Sequence, residues 1–427
     1  MASAGEPPRR RGRVLIIVQN LPVPFDRRVW LEATSLTRAD YDVSVICPKF
    51  KGYERAYERV EEVDIYRYAL PVQAEGALGF AAEFAWCFIR TAMRSVTVAV
   101  RGRGFDVIHA CNPPETYWLL GWVWRVLAGK RFIFDHHDLS PEMYAAKFGR
   151  RAGAMHRGLR WLEWLTFKTA DVVVTTNGSH REIAITRGGV PPQRIFVVRS
   201  GPDLARLKRY PPDPRYRKGK AHLVVYLGEI CSQDGVDHMV RAVKVLTQDH
   251  GRTDFHCIFV GGGSHQPVIK EYAGKLGLET VTTFTGRVSD EELCRILSSA
   301  DLGIDPDTKT EWSDKSTMNK VMEYMYFGLP IVAYDLRETR VSARDAAVYA
   351  ESNSESALAE AIAALLDNPA KRREMSAFGE RRLRQALAWQ YSVPVLLDAY
   401  ETAFAMAADK GQRAALSQLP ARNSRGH

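Results

Sequence analysis

The sequence predicts an α/β protein built from two doubly wound parallel sheets in tandem, closed by a helical C-terminal segment. Three observations carry this prediction. Unbroken aliphatic runs, as strands buried on both faces require, alternate with helix-like patterns. That alternation runs twice, with a proline-rich, charged break between the two passes. The length of 427 residues and the 46% hydrophobic composition suffice for two ordinary cores.

The first pass opens with VLIIV at 14–18, followed by a helical segment near 28–37 and the run VSVIC at 43–47. Further strand-like runs are VIH at 107–109, FIF at 132–134, VVV at 172–174 and IFVV at 195–198. The break, YPPDPRYRKGK at 210–220, marks a domain boundary. Strands are then expected at 223–227, 255–260, 281–285, 302–304 and 331–333, and helices near 236–246, 267–276 and 290–299. A long helical region follows, roughly 355–407. The expected organisation is a disordered basic arm at 1–12, a first domain at 13–208 and a second at 209–385. A helix at 386–409 packs back on the first domain, and a disordered tail occupies 410–427.

Bulk properties narrow the function. The formal net charge of +9 fits anionic lipid headgroups, phosphorylated substrates or nucleic acid. No zinc spacing and no aromatic-basic strand signature is present, so nucleic acid is not expected as a partner. The six cysteines stand singly without CxxC spacing and read as buried free thiols of a reducing compartment. The arginine-rich start precedes no long apolar region, so neither a signal peptide nor an anchor is expected. The apolar stretch 77–100 is interrupted by Glu83, Arg90 and Arg94; it reads as an amphipathic helix packed on its own domain rather than lying on a membrane. Trp118, Trp122 and Trp124 read as core or helix packing.

Five segments look functional. DKSTMNKVMEYMYFGLPIVA at 314–333 reads as polar loop, helix, Gly-Leu-Pro turn and buried strand. Ser316 and Thr317 are suited to cap that helix, whose free amides and dipole favour an anion. Asn319, Lys320 and Glu323 share one helix face. NLPVPFDRRVWLEA at 20–33 is a proline-rich loop that leaves a strand and enters a helix. FIFDHHDLSPE at 132–142 places two histidines and three carboxylates past a strand end. GEICSQDG at 228–235 and VGGGS at 260–264 follow two further strands. The glycines at 261–263 fit either a tight turn or close approach of a phosphate.

Together these segments, with the FTGR strand end at 284–287 and ADLGI at 300–304, resemble family 4 retaining glycosyltransferases. The resemblance covers about 14–400 and is strongest to the branch that builds bacterial surface polysaccharides. It implies a GT-B fold, two Rossmann-like domains facing across a cleft. It also implies a nucleotide diphosphate sugar as donor, UDP by preference, with transfer of a hexosyl or N-acetylhexosaminyl group. The acceptor would be a glycan, lipid-linked and met at the inner membrane face. That makes a cytoplasmic protein with peripheral contact to anionic membrane, and no metal or other cofactor.

Position by position, the resemblance assigns Glu323 to the ribose, and the backbone at Arg287 and Val288 to the base. Ser316, Thr317, Asn319, Lys315 and Gly263 fall to the diphosphate and donor sugar. His136 or His137 would line the sugar pocket, the other being structural; the sequence does not choose. Phe25, Asp26, Arg27, Arg28 and Asp138 fall on the acceptor or cleft side. The chain departs from the family in two places: the usual carboxylate eight positions before the ribose Glu is Lys315, with Asp314 beside it, and the usual Arg and Lys of the phosphate turn are Glu229 and Asp234. Lys320, and next Lys315, are the expected replacement cations, with Lys320 catalytic as charge grows on the leaving group. Rival readings are a natural-product glycosyltransferase with a soluble acceptor, a nucleotide-sugar 2-epimerase and a non-catalytic partner subunit.

Overall fold

The computed structural model describes residues 11–71, 76–149 and 153–417. The chain divides into two compact units. One takes the chain up to Pro141, Gly153–Val198 and the segment from Val393; the other takes Glu142–Ala152 and Arg199–Ser392. In chain order the elements begin β1 (Gly12–Ile17), α1 (Arg27–Arg38), β2 (Tyr41–Pro48), β3 (Tyr57–Val60), β4 (Val63–Tyr68), α2 (Gly76–Arg101), β5 (Val107–Cys111) and α3 (Trp118–Ala128). Next come β6 (Arg131–His136), α4 (Ser140–Phe148), α5 (Ala154–Thr169), β7 (Val172–Thr175), α6 (Gly178–Thr186) and β8 (Ile195–Val197).

The first sheet has the order β3-β4-β2-β1-β5-β6-β7-β8, with only the β3–β4 pair antiparallel. β1 lies at its centre, Val14 opposite Val43 on one side and Val107 on the other. Its residues 14–17 are fully buried, which is why the run carries no polar side chain. The β3–β4 hairpin escaped the sequence reading. Its two-residue turn places Glu61 and Glu62 at positive φ, 44° and 68°. Glycine or asparagine usually marks such a turn, and neither is present.

The second pass gives β9 (His222–Leu227), α7 (Val236–Lys244), β10 (Phe255–Val260), α8 (Gln266–Lys275), β11 (Thr282–Gly286), α9 (Asp290–Ser299) and β12 (Leu302–Asp305). It continues through α10 (Asn319–Phe327), β13 (Ile331–Tyr334), α11 (Arg337–Ala343), β14 (Ala347–Ala350), α12 (Glu355–Leu366), α13 (Pro369–Arg382) and α14 (Ser392–Ser417). The second sheet, β11-β10-β9-β12-β13-β14, is parallel throughout. Each sheet therefore reverses its winding once, between β1 and β5 and between β9 and β12. Ligands of open parallel sheets bind beyond the strand carboxyl ends at such points.

Several boundaries differ from the sequence reading; the second unit runs to Ser392 rather than 385, and the helix expected from 386 starts at Ser392. The first division falls at Val198–Arg199, ahead of the proline-rich break, because residues 199–220 bond into the second unit. Trp389 N donates to Pro202 O, Arg209 Nε to Tyr326 O and Asp213 N to Ser299 Oγ. The long helical region is broken, since Asn368 caps and Pro369 starts a new helix. Finally, α14 continues through residues 410–417, where disorder is expected. Residues 1–10 and 418–427, the rest of the expected disordered ends, lie outside the described residues.

From Val393 onward α14 belongs to the first unit. The Tyr400 hydroxyl shares a hydrogen bond with His109 Nδ1 at 2.8 Å, and Phe404 stacks on Tyr41. No helix among the described residues is long and apolar enough to cross a membrane. All six cysteines are free thiols; five are buried and Cys231 is half-buried.

Candidate active site

In the first unit the strand carboxyl edge is organised by one buried cation. Asp26 accepts from Val29 N at 3.1 Å and so caps α1. The first turn of α1 then places Arg27 on the surface and turns Arg28 inward. Arg28 forms a fork on Asp135, at 2.9 and 2.8 Å, reaches Glu32 at 3.0 Å and donates to Val198 O. It thereby ties α1 to the ends of β6 and β8, and its charge is committed within the protein. Burial pulls the guanidinium down, but Asp135 and Glu32 outweigh it and leave Arg28 raised. Burial pushes Asp135 up, but Arg28 and His137 hold it well below the usual carboxylate range.

The two histidines separate cleanly. His136 has no exposed side-chain surface; its Nε2 meets Glu163 at 3.2 Å and its ring packs among Phe134, Phe167 and His180. It is a core residue. His137 keeps 16% of its side chain exposed, with Nδ1 at 3.1 Å from Asp135. Burial pulls its imidazole down, but Asp135 prevails and brings it up to about 9. His137 is therefore an imidazolium near neutrality, and Nδ1 is turned to Asp135. Asn112, past β5, fixes the turn: its Oδ1 accepts from His137 N and Asp138 N, and its Nδ2 donates to Asp138 O and Glu115. Burial raises the Asp138 carboxyl. Phe25 packs against Tyr53.

Glu32, His109, Cys111 and Asp135 each bring a ligand atom within 4.8 Å of the others. They do not fit a metal ion. Arg28 already supplies the cation to both carboxylates, so a metal ion there would face the guanidinium inside one buried cluster.

In the second unit the β9–β12 edge is also built around one cation. Lys320, on the first turn of α10, meets Asp305 at 3.3 Å and bonds Asp307, above the ring of Tyr226. Both carboxylates are buried, and Thr339 donates to Asp305. Burial pulls Lys320 down but Asp307 outweighs it, so the ammonium stays charged. Lys320 thus brings no spare positive charge, contrary to the sequence expectation. The sequence could not show this, because Asp305 and Asp307 stand 15 and 13 residues upstream and meet Lys320 only through the fold. Lys315 pairs with Glu311 at 3.0 Å, so its charge too is answered nearby.

The turns beside them are tightly determined. A Cβ at Gly261 (φ 137°) would stand 1.8 Å from Gly228 O, and one at Gly263 (φ 155°) 2.4 Å from Ile230 O. Backbone packing of one turn on the other accounts for both glycines. Asp234 accepts from Cys231 N at 2.8 Å and closes its own loop, while the Glu229 side chain is exposed. The start of α10 also differs from expectation. Met318 takes the cap position with no side-chain cap bond, while Ser316 Oγ donates back to Trp312 O. The preceding short 3-10 turn, Ser313–Lys315, displaces the helix start past Ser316 and Thr317. Glu323 lies half-buried on the second turn of α10, Asn319 is exposed at its start, and Arg287 and Val288 follow β11, exposed and half-buried. Tyr324 escaped notice: its hydroxyl accepts from Leu227 N at 2.8 Å and donates to Ile304 O, joining β9 to β12. Gly303 makes room for its ring, which a Cβ would meet at 2.4 Å.

Two family models match the chain: Glycosyltransferase Family 4 over residues 26–206, and Glycosyl transferases group 1 over 213–382. A D-inositol 3-phosphate glycosyltransferase of Geodermatophilus obscurus is 27% identical over 329 residues, 73% of this chain and 69% of the relative. Among solved structures, sucrose-phosphate synthase of Thermosynechococcus elongatus superposes with a TM-score of 0.73 at 18% identity, covering 93% of this chain and all of that one. The Anabaena protein HepE in complex with UDP-glucose gives 0.67 at 17%, covering 92% and 99%. These structures share the fold of two parallel-sheet domains.

Proposed function

We propose, from the premise that this chain belongs to glycosyltransferase family 4, that it moves a sugar from a UDP-sugar to a hydroxyl of a lipid-linked glycan with retention at the anomeric carbon. The observation that carries the reading is where the singled-out residues fall. Glu323, the α10 start and the 228–235 turn gather around the β9–β12 reversal, and His137 stands at the strand edge of the first unit. Glu323 is assigned to the ribose hydroxyls. UDP is favoured by the HepE complex, whose fold this chain shares.

The diphosphate is met chiefly by backbone amides. Both α7 and α10 begin without a side-chain cap, at Gly235 and Met318, so the leading amides of each, Asn319 N and Lys320 N in α10, meet no cap side chain, while Val321 N turns back to Met318 O. Lys320 acts as a positioning residue that holds the loop after β12. His137, an imidazolium held by Asp135, is assigned to a sugar oxygen, where a charge-assisted hydrogen bond orients the donor. Charge growing on the leaving diphosphate is stabilised by the helix dipoles, and its own oxygen takes the acceptor proton.

The test is turnover of the purified chain with UDP-, GDP-, ADP- and TDP-sugars and a lipid-linked acceptor. Product mass and anomeric configuration are both read. A sugar epimerised without transfer identifies a 2-epimerase. Nucleotide binding without turnover on any acceptor identifies a non-catalytic subunit, a reading that the acidic Glu229 and Asp234 favour.

A further inference from the structure

The helical layer over one face of the first sheet is unusual on its outer side. α2 buries Cys87, Thr91, Ser95 and Val98 toward the sheet. Its opposite stripe, Trp86, Ile89, Met93, Val96 and Val100, is exposed, Val100 to 76%. The five recur at three- and four-residue steps, so they form one continuous apolar face. α3 lies beside α2, Trp124 Nε1 donating to Ser95 Oγ at 3.0 Å. It repeats the pattern with exposed Leu119, Trp122 and Val126. Trp122 is thus a surface residue, unlike Trp118 and Trp124, which pack as the sequence suggests. α5 packs on the other side of α3 and exposes Trp161 and Trp164 between Arg157, Arg160 and Lys168.

We propose that this α2–α3–α5 face docks on an anionic lipid bilayer. Apolar stripes with indole rings and cations, on helices lying in the surface plane, match the interface between headgroups and acyl chains. The charge on the face selects the occupant. Arg90, Arg101, Arg157, Arg160 and Lys168 stand on these helices, while Glu83 is half-buried and Glu163 buried. A second copy of the chain would set cation against cation, whereas an anionic surface answers every one of them. Arg90 and Lys168 already lie beside the rings of Trp86 and Trp164. The pairing keeps cation and indole at the same depth. α2 and α5 both run into the sheet from its strand carboxyl edge, the edge that carries His137. Docking would therefore bring a lipid-linked acceptor to the reacting end of the unit. This last point rests on the proposed transferase reading; the docking itself does not.

The experiment is sedimentation of the full chain with phosphatidylcholine vesicles, with and without phosphatidylglycerol, in the absence of donor and acceptor. Binding to the anionic vesicles, weakened by salt, with a blue shift of tryptophan emission, is expected. Arg157→Gln, Arg160→Gln and Lys168→Gln should each weaken partition about fivefold. Trp161→Ala with Trp164→Ala should weaken it further and remove most of the blue shift. UDP affinity and thermal unfolding, measured on the same variants, should stay at wild-type values. Failure to bind anionic vesicles, equal binding to neutral ones, or binding indifferent to these substitutions overturns the proposal. A stable dimer that Trp122→Ala dissociates overturns it in favour of self-association. Transfer assays with a soluble acceptor analogue score the transferase reading separately, so the two can fail independently.

Discussion

The two strand edges solve one problem in two ways. Each buries a cation between two carboxylates: Arg28 with Glu32 and Asp135 in the first unit, Lys320 with Asp305 and Asp307 in the second. In the first unit the planar guanidinium forks onto Asp135, and the remaining face of that carboxylate holds His137. The excess negative charge is passed on, and it reappears as a positive imidazolium at the surface. In the second unit the compact ammonium is consumed inside the cluster. Burial raises Asp307 against the pull of Lys320, as it raises Glu32 against the pull of Arg28 in the first unit. The triads differ in what else touches the shared carboxylate: the titratable His137 on Asp135, and the neutral Thr339 hydroxyl on Asp305. An anion at the second edge must then rely on helix N-termini.

The largest effect should come from emptying the clamps. Lys320→Ala leaves two buried carboxylates without their cation, and Arg28→Ala does the same to Glu32 and Asp135. Breaking a buried pair costs about 3–5 kcal/mol, to be read as a shift of the urea midpoint. Unchanged stability with lost turnover in Lys320→Ala would break the comparison and return Lys320 to direct contact with substrate.

Next is His137. His137→Ala should lower turnover about a hundredfold, the cost of losing one preorganised donor. The sign of the pH dependence follows from its raised value: the imidazolium persists below about 9 and is lost above it. Its contribution to stability is likewise complete below the unfolded value near 6.5 and lost as pH rises through about 9. Wild-type turnover should fall on an alkaline limb near pH 9 that His137→Ala lacks. His136→Gln should cost folding stability instead. A His137→Ala profile that keeps the limb would detach the exported charge from function.

Glu323→Ala should weaken UDP-sugar affinity about ten- to a hundredfold, for a charge-assisted hydrogen bond of roughly 1.5–3 kcal/mol. Calorimetry on the folded variant checks it, and unchanged affinity removes the ribose assignment. The smallest effect sharpens the reading of the glycine run. Gly261→Ala should destabilise the second unit, because its Cβ would strike Gly228 O, whereas Gly262→Ala meets nothing closer than Arg287 N at 3.9 Å and should be tolerated. If Gly262→Ala lowers donor affinity while leaving the melting temperature alone, the run serves ligand approach after all.

The two sheets, their parallel winding and the segments that end at their carboxyl edges were legible in the order of the residues alone. Those follow from local patterns: aliphatic strands, helical stripes and turn residues, whose information lies within a few positions. The residue order also marked Glu323 and the His136–His137 pair as candidates. Only the tertiary structure told the two histidines apart, by burying His136 against Glu163 and setting His137 on Asp135. Only the fold showed that Arg28 and Lys320, which read as substrate-facing cations, are already held by Asp135, Asp305 and Asp307. The hairpin at Glu61 and Glu62, the helix start at Met318 and the exposed side of α2 were likewise settled by the fold. The physical reason is common to all: charge pairing and burial depend on neighbours distant in sequence, and a single chain read in order does not say which distant residues will meet.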